Sequence, residues 1–163
     1  MSDESPIMTW EVELAGGVGT LRRWERLFTD PENALVDGRL KDGEERFLLR
    51  SARFDGLRAN EITGVAADLV GKINSIIVLF GGAEPISTGL GVPIFADGSR
   101  GKIVVVDVWV PIEIGPTSET ISSEAEKEQV FWLLNLAERE EYVADALMCA
   151  PLELADPFWI RAL

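Results

Sequence analysis

The sequence contains no histidine, and this absence excludes several kinds of site. Histidine is the commonest general base and the commonest metal ligand in proteins. A Ser-His-Asp or Cys-His catalytic device is therefore excluded, and a zinc site would need a shell made almost entirely of carboxylates. We expect no metal and no cofactor. The composition favours a non-catalytic protein, although catalysis by a lysine or a carboxylate stays open.

Cysteine and long apolar stretches are also scarce. The single cysteine, Cys149, excludes an intramolecular disulfide, which is typical of a protein in a reducing cytosol. It lies in an acidic region that has no nearby base, so we interpret it as a packing residue. No run approaches the roughly 18 apolar residues of a membrane helix, and the opening MSDESPIM lacks the pattern of a secretion signal. The sequence predicts a cytoplasmic protein that does not bind membranes.

Basic residues are few compared with acidic ones. The chain carries 15 Lys and Arg against 28 Asp and Glu, a net charge of -13, and residues 116–163 contribute -7 of it. Such an excess repels the phosphates of nucleic acids, so we expect no nucleic-acid partner. It favours either simple solubility or attraction to a basic protein partner.

The stretch GGVGT, residues 16–20, is rich in glycine but lacks the chemistry of a phosphate-binding loop. Such a loop needs a lysine directly after its last glycine, and here Thr20 follows. Arg22 stands where a dinucleotide-binding fingerprint has its third glycine. The preceding strand alternates Glu11 and Glu13 with apolar residues, unlike a buried parallel strand. We interpret the stretch as a turn that uses the freedom of glycine at positive φ.

The apolar periodicity predicts a single α+β domain. A helical repeat without a miss runs from Asn60 to Phe80 and predicts a central helix. A short helix is predicted after the glycines, and a small hairpin between the turn dipeptides Asp37-Gly38 and Asp42-Gly43. Strand patterns occupy Trp10–Leu14, Glu45–Phe54, Pro85–Ala96 and Lys102–Ile114. We expect an antiparallel or mixed sheet of about four or five strands with the central helix packed on it.

The last third of the chain is acidic and has helical patterns. Ser123 and Glu126 have the spacing of a capping box, which predicts the start of a helix. A second helical run covers Tyr142–Cys149, and Asp156-Pro157 predicts the start of a third. We therefore predict two parts, an α+β core over residues 1–115 and an acidic helical subdomain over residues 116–163 that packs on it.

Two sets of residues are candidates for function. Asp107 stands in the apolar run VVVDVWV, and a carboxylate in such surroundings often marks a functional site. Three arginines of an earlier segment are its candidate partners in a pocket: Arg46, Arg50 and Arg53. The second set combines glutamates on helix faces with tryptophan, a common interface anchor: Glu124, Glu126, Glu128, Trp132, Glu138, Glu140, Glu141 and Trp159.

These features favour a non-catalytic cytosolic interaction module, in the manner of inhibitors or immunity proteins. It would bind a basic protein partner through the acidic C-terminal helices. One alternative is a homo-oligomeric structural protein in which the terminal FWIRAL packs across a symmetry axis. Another is a small-ligand binder or a carboxylate-dependent enzyme with a pocket near Asp107.

Overall fold

The computed structural model describes residues 6–80, 85–105 and 124–147, and within them the chain forms one antiparallel sheet and its helices. The strands follow the order β2-β3-β4-β1-β5-β6 across the sheet. They are β1 (Ile7–Ala15), β2 (Thr29–Asp30), β3 (Ala34–Lys41), β4 (Glu44–Arg50), β5 (Ser87–Phe95) and β6 (Val104–Val105). The helices are α1 (Val18–Leu27), α2 (Ile62–Leu79), α3 (Glu124–Arg139) and α4 (residues 141–147), with a 3-10 turn at Ala52–Phe54. The predicted α+β fold, with a central helix and C-terminal helices, is confirmed.

β1 is the central strand, hydrogen-bonded to β4 on one side and to β5 on the other. Its even-numbered residues Trp10, Val12 and Leu14 are buried in the hydrophobic core. The same core contains the buried sides of α1, α2 and α3. Since strand side chains alternate between faces, the odd-numbered residues of β1 lie on the second face of the sheet.

The hairpin between β3 and β4 turns at Asp42-Gly43. Lys41 pairs with Glu44, so the loop has two residues, and both have positive φ, 54° at Asp42 and 81° at Gly43. This is the conformation of a type I′ hairpin, which an Asp-Gly pair adopts readily. The turn predicted at Asp37-Gly38 is wrong, because both residues lie inside β3.

The glycines at the start of α1 do not have positive φ, and one of them, Gly16, acts through close packing. Gly17 caps α1 with φ -63° and ψ 133°, and neither Gly16 nor Gly19 has positive φ, so that part of the prediction is wrong. A Cβ atom at Gly16 would lie 3.1 Å from Cγ1 of Ile86. Gly16 therefore lets the end of β1 lie against the residues that lead into β5.

α2 is the core helix of the domain. Its N-cap is Glu61 and its first residue is Ile62, so the helix begins within two residues of Asn60, where the predicted repeat starts. By length and composition alone it is apolar enough to cross a membrane, with a mean hydropathy of 1.6. However, Leu69, Ile73 and Ile76 are fully buried, and the helix packs between β5 and α3. We therefore assign α2 to the hydrophobic core.

Asn74 joins α2 to the start of β5. Its amide nitrogen donates to the carbonyl oxygen of Ile86 at 2.7 Å, and its amide oxygen accepts from the Ile86 N–H at 2.9 Å. The side chain thus pairs with a backbone as a neighbouring strand would. This contact satisfies both polar groups of Ile86, whose side chain is buried.

We expect Asn74→Ala to lower the free energy of unfolding by about 2 kcal/mol, because two hydrogen bonds are lost and the Ile86 backbone groups lose their partners. Urea denaturation measures the change. Asn135→Ala is the matched control, since it makes the same substitution in a helix at a half-buried position. Equal effects at the two positions would show that the Ile86 contact adds nothing to stability.

Candidate functional site

A carboxylate is buried on the second face of the sheet, at Glu11 of the strand whose acidic and apolar residues alternate. The Glu11 side chain is 5% exposed, and three guanidinium groups surround it. Arg50 pairs with Oε1, which also lies 3.5 Å from Arg39, while Arg100 donates to Oε2 at 2.7 Å. The three arginines come from β4, β3 and the turn after β5.

Asp37 completes this cluster, and we call the five residues Glu11, Asp37, Arg39, Arg50 and Arg100 the Glu11 network. Asp37 accepts a hydrogen bond from Nε of Arg39 at 2.9 Å and lies 4.0 Å from Arg50. Buried carboxylates are costly unless they are paired and hydrogen-bonded. The arginines pair with the carboxylates, while their own guanidinium groups stay partly exposed to water.

Arg46 belongs to a neighbouring set of charges on the same face. It lies 3.5 Å from Glu13 and 4.0 Å from Glu44. Arg46 also stands directly opposite Arg39 in the β3–β4 pairing. Like charges at such positions repel each other, and Glu11 and Glu13 offset this repulsion. The four arginines of the face are therefore balanced by carboxylates.

The structure brings together only part of the predicted pocket. Arg46 and Arg50 lie on the same face, as their spacing along β4 requires. Arg53 lies in the 3-10 turn and pairs with Glu138 of α3 instead. Burial lowers the pKa of the Arg53 guanidinium, and the charge of Asp68 opposes that shift. Asp107 lies outside the described residues, as do Cys149, Trp159 and the helix predicted at Asp156.

α3 is fixed to the core by a second ion pair. Arg23 of α1 is buried, pairs with Glu126 of α3, and donates to the carbonyl oxygen of Phe80 at 2.9 Å. The aromatic rings of Phe28 and Phe131 also meet edge to face, 5.8 Å apart. Glu126, one of the candidate binding residues, therefore pairs with Arg23 inside the fold. Glu126 and Glu138 hold α3 in place.

The opposite side of α3 carries exposed residues. Glu124, Glu128 and Trp132 recur every four residues, so they follow one another along one side of the helix. Both glutamates are exposed, and Trp132 is 62% exposed. We call these three residues the α3 patch. Glu140 and Glu141, at the junction with α4, are exposed as well.

Over the described ranges, no group of three or more potential ligands is placed to hold a metal ion. Comparison with protein-family models, with curated proteins and with solved structures finds no match to this chain. The chemistry of its surfaces therefore has to be read from their own geometry.

A tight turn places Arg100 beside Glu11. The Asp97 carboxylate accepts hydrogen bonds from the Ser99 N–H at 2.8 Å and from the Ser99 hydroxyl at 2.6 Å. Gly98 has a φ of 79°, which favours glycine. Arg100 then forms a β-bridge with Ile94 of β5. The turn thus determines where the third arginine of the Glu11 network lies.

We expect Glu11→Gln to lower the free energy of unfolding by about 2–3 kcal/mol, because it leaves Arg39, Arg50 and Arg100 around a neutral group. Glu13→Gln is the matched control on the next position of the same face. Its side chain is 25% exposed with one arginine 3.5 Å away, so its loss should cost less than about 1 kcal/mol. Urea denaturation of the two variants tests this, and equal losses would contradict a special role of Glu11.

We expect Asp97 to titrate below its ordinary value, because the two hydrogen bonds from Ser99 lower its pKa. A lowered pKa in the folded state stabilises the fold above the unfolded pKa. That stabilisation is lost as the pH falls through the folded pKa. NMR titration of the Asp97 carboxyl carbon measures the shift. Ser99→Ala should return the pKa towards its ordinary value, and an unchanged titration would contradict the assignment.

Proposed function

We propose that this protein is a non-catalytic cytoplasmic interaction module that binds a basic protein partner through the α3 patch. The observation that carries the proposal is the exposure of Trp132 next to two exposed acidic side chains, Glu124 and Glu128, on the same side of α3. Tryptophan supplies a large apolar surface, and exposing it to water without a partner is unfavourable. It is also enriched among the residues that contribute most to binding at interfaces.

The support of α3 by the core favours this role. Val130, Leu134 and Ala137 are buried on the inner side of the helix, and the pairs of Glu126 and Glu138 add to their hold. A patch on a helix fixed in this way loses little conformational entropy when a partner binds.

The chemistry of the patch favours a cationic partner. Glu124 and Glu128 attract lysine or arginine, and the face of the Trp132 ring binds a cation placed over it. The net charge of -13 adds long-range attraction for a basic protein. Glu140 and Glu141 extend the acidic surface towards α4, where Tyr142 is also exposed.

The alternative of a small-ligand pocket has weaker support. Arg46 and Arg50, its candidate ligands, already face Glu13 and Glu11. A ligand would have to compete with carboxylates of the protein itself. A homo-oligomer remains an alternative, which the following experiment separates from the proposal.

We expect a basic host protein to bind the immobilised wild-type chain at low salt and to be released at high salt, because salt screens the attraction. The triple variant Glu124→Lys/Glu128→Lys/Trp132→Ala should lose it. Quantitative mass spectrometry of lysate captures measures the difference, and Trp132→Ala alone should weaken the purified complex by at least about 30-fold.

The control variant Glu32→Lys/Asp55→Lys makes the same charge change at exposed acids of two turns away from α3. It should retain the partner. Equal retention by the wild type, the triple variant and the control would contradict binding through the α3 patch. Capture of the chain's own copies alone would favour the homo-oligomer.

A further inference from the structure

Four Asp-Gly pairs occur in the chain, and this dipeptide is prone to a spontaneous rearrangement of the main chain. They are Asp37-Gly38, Asp42-Gly43, Asp55-Gly56 and Asp97-Gly98. The rearrangement begins when the glycine nitrogen attacks Cγ of the aspartate before it, and glycine permits this approach because it has no side chain. A nitrogen whose N–H is hydrogen-bonded has to give up that bond first. The partner of each glycine N–H therefore determines which pair reacts in the folded protein.

Two of the glycine N–H groups donate to main-chain carbonyl oxygens. The nitrogen of Gly56 lies 3.0 Å from the carbonyl oxygen of Met8. The nitrogen of Gly98 lies 2.9 Å from the carbonyl oxygen of Phe95. Both distances are those of ordinary hydrogen bonds. An attack by either nitrogen would have to break its hydrogen bond, which slows the reaction.

Side chains protect the pairs at Asp37 and Asp97. The Gly38 N–H donates to Oε1 of Glu25 at 3.1 Å, and a Cβ atom at Gly38 would lie 2.6 Å from the same oxygen. The Asp97 carboxylate accepts hydrogen bonds from the N–H and the hydroxyl of Ser99, which lower its pKa. An ionised carboxylate is a poor target for a nitrogen nucleophile, because it has no hydroxyl group that can leave as water.

The remaining pair, Asp42-Gly43, has none of these protections. It forms a two-residue loop, and Lys41 and Glu44 are the last paired residues of the two strands. Within the described part of the chain, the Gly43 N–H has no hydrogen-bond acceptor, and the Asp42 carboxylate has no hydrogen bond or ion pair. Both residues are exposed, and a Cβ atom at Gly43 would have no neighbour within 4 Å. Water and hydroxide therefore reach this nitrogen freely.

We propose that Asp42 is the site at which the folded protein forms isoaspartate. The Gly43 nitrogen bonds to Cγ of the Asp42 carboxyl group, and the hydroxyl of that group leaves with the proton of the nitrogen as water. This closes a succinimide ring, in which the nitrogen is bonded to both carbonyl carbons of Asp42. One water molecule then opens the ring. Cleavage at Cγ restores aspartate, whereas cleavage at the main-chain carbonyl carbon leaves the chain running through Cγ.

The tip of the hairpin has room for the product. Isoaspartate adds one carbon to the main chain of the loop, beside which Leu40 is 78% exposed and the Glu44 side chain 80%. The strands stay joined by the pairs from Leu35–Arg50 to Leu40–Glu45. The altered loop is therefore part of a folded domain and is accessible to a protein isoaspartyl methyltransferase, the class of enzyme that recognises exposed isoaspartate. It is separate from the α3 patch, and the inference does not depend on the proposed function.

Ageing of the purified protein at neutral pH and physiological temperature tests the site. Chromatography and mass spectrometry of proteolytic peptides separate the aspartyl and isoaspartyl forms of each pair. We expect isoaspartate to accumulate at Asp42 about tenfold faster than at any of the other three pairs, because a hydrogen bond opposes the reaction there. Asp42→Glu is the matched control. It keeps the charge but would have to close a larger ring, so methyltransferase labelling of the intact protein should fall to the background.

Hydrogen exchange in the folded wild type measures the freedom of each nitrogen. We expect the Gly43 amide to exchange faster than the amides of Gly38, Gly56 and Gly98, because those three are hydrogen-bonded. Protection of Gly43 equal to theirs would show that its nitrogen is not free and would contradict the proposal.

The unfolded chain shows whether the fold makes this selection. In guanidinium chloride the glycine N–H groups lose their partners, so the four pairs should react at similar rates. Similar rates in the folded protein as well, or faster reaction at Asp55 or Asp97 than at Asp42, would overturn the proposal. It would also be overturned if Asp42 reacts in the unfolded chain but not in the folded protein.

Discussion

A carboxylate held almost out of water in the middle of a sheet has to be paired, and much of this structure follows from that need at Glu11. Its three guanidinium partners come from β3, β4 and the turn after β5, so a single carboxylate links four segments across the central strand. The apolar core on the opposite face contributes more energy but is less specific. A slip of β3 or β4 by one residue would move their arginines, and their buried apolar residues with them, to the other face, so the charged network and the core favour the same register.

The acidic excess of the chain serves more than one purpose. Glu11 organises the second face of the sheet, and Glu126 and Glu138 attach α3 to Arg23 and Arg53. Glu25 accepts a hydrogen bond from the Gly38 N–H at the edge of β3. On α3, Glu124 and Glu128 stay exposed on the side of Trp132, with Lys127 3.9 Å from Glu124. Net charge therefore predicts a docking surface poorly, unless the acids that form ion pairs within the protein are first left out of the count.

The elements that were predicted correctly are those determined by local sequence. The alternation in β1, the repeat in α2 and the Asp42-Gly43 turn each depend on neighbours within a few residues. The candidate site depends on pairs of residues that are far apart in the sequence, and the sequence patterns did not predict it. The alternation of β1 gives no sign that Glu11 is buried, and Arg39 and Arg100 join it only through the sheet. Arg53 was grouped with Arg46 and Arg50, but the 3-10 turn after β4 carries it to the helical side. Asp37-Gly38 has turn composition, yet its glycine serves the contact with Glu25.

The connection between α2 and β5 is anchored at both of its ends. Arg23 binds the carbonyl oxygen of Phe80 on one side, and Asn74 binds both backbone groups of Ile86 on the other. Phe80 and Ile86 are thus held in place independently of the residues that join them. A longer connection between Phe80 and Ile86 would therefore cost little, because the entropic cost of closing a loop rises only by about 0.6 kcal/mol with each doubling of its length.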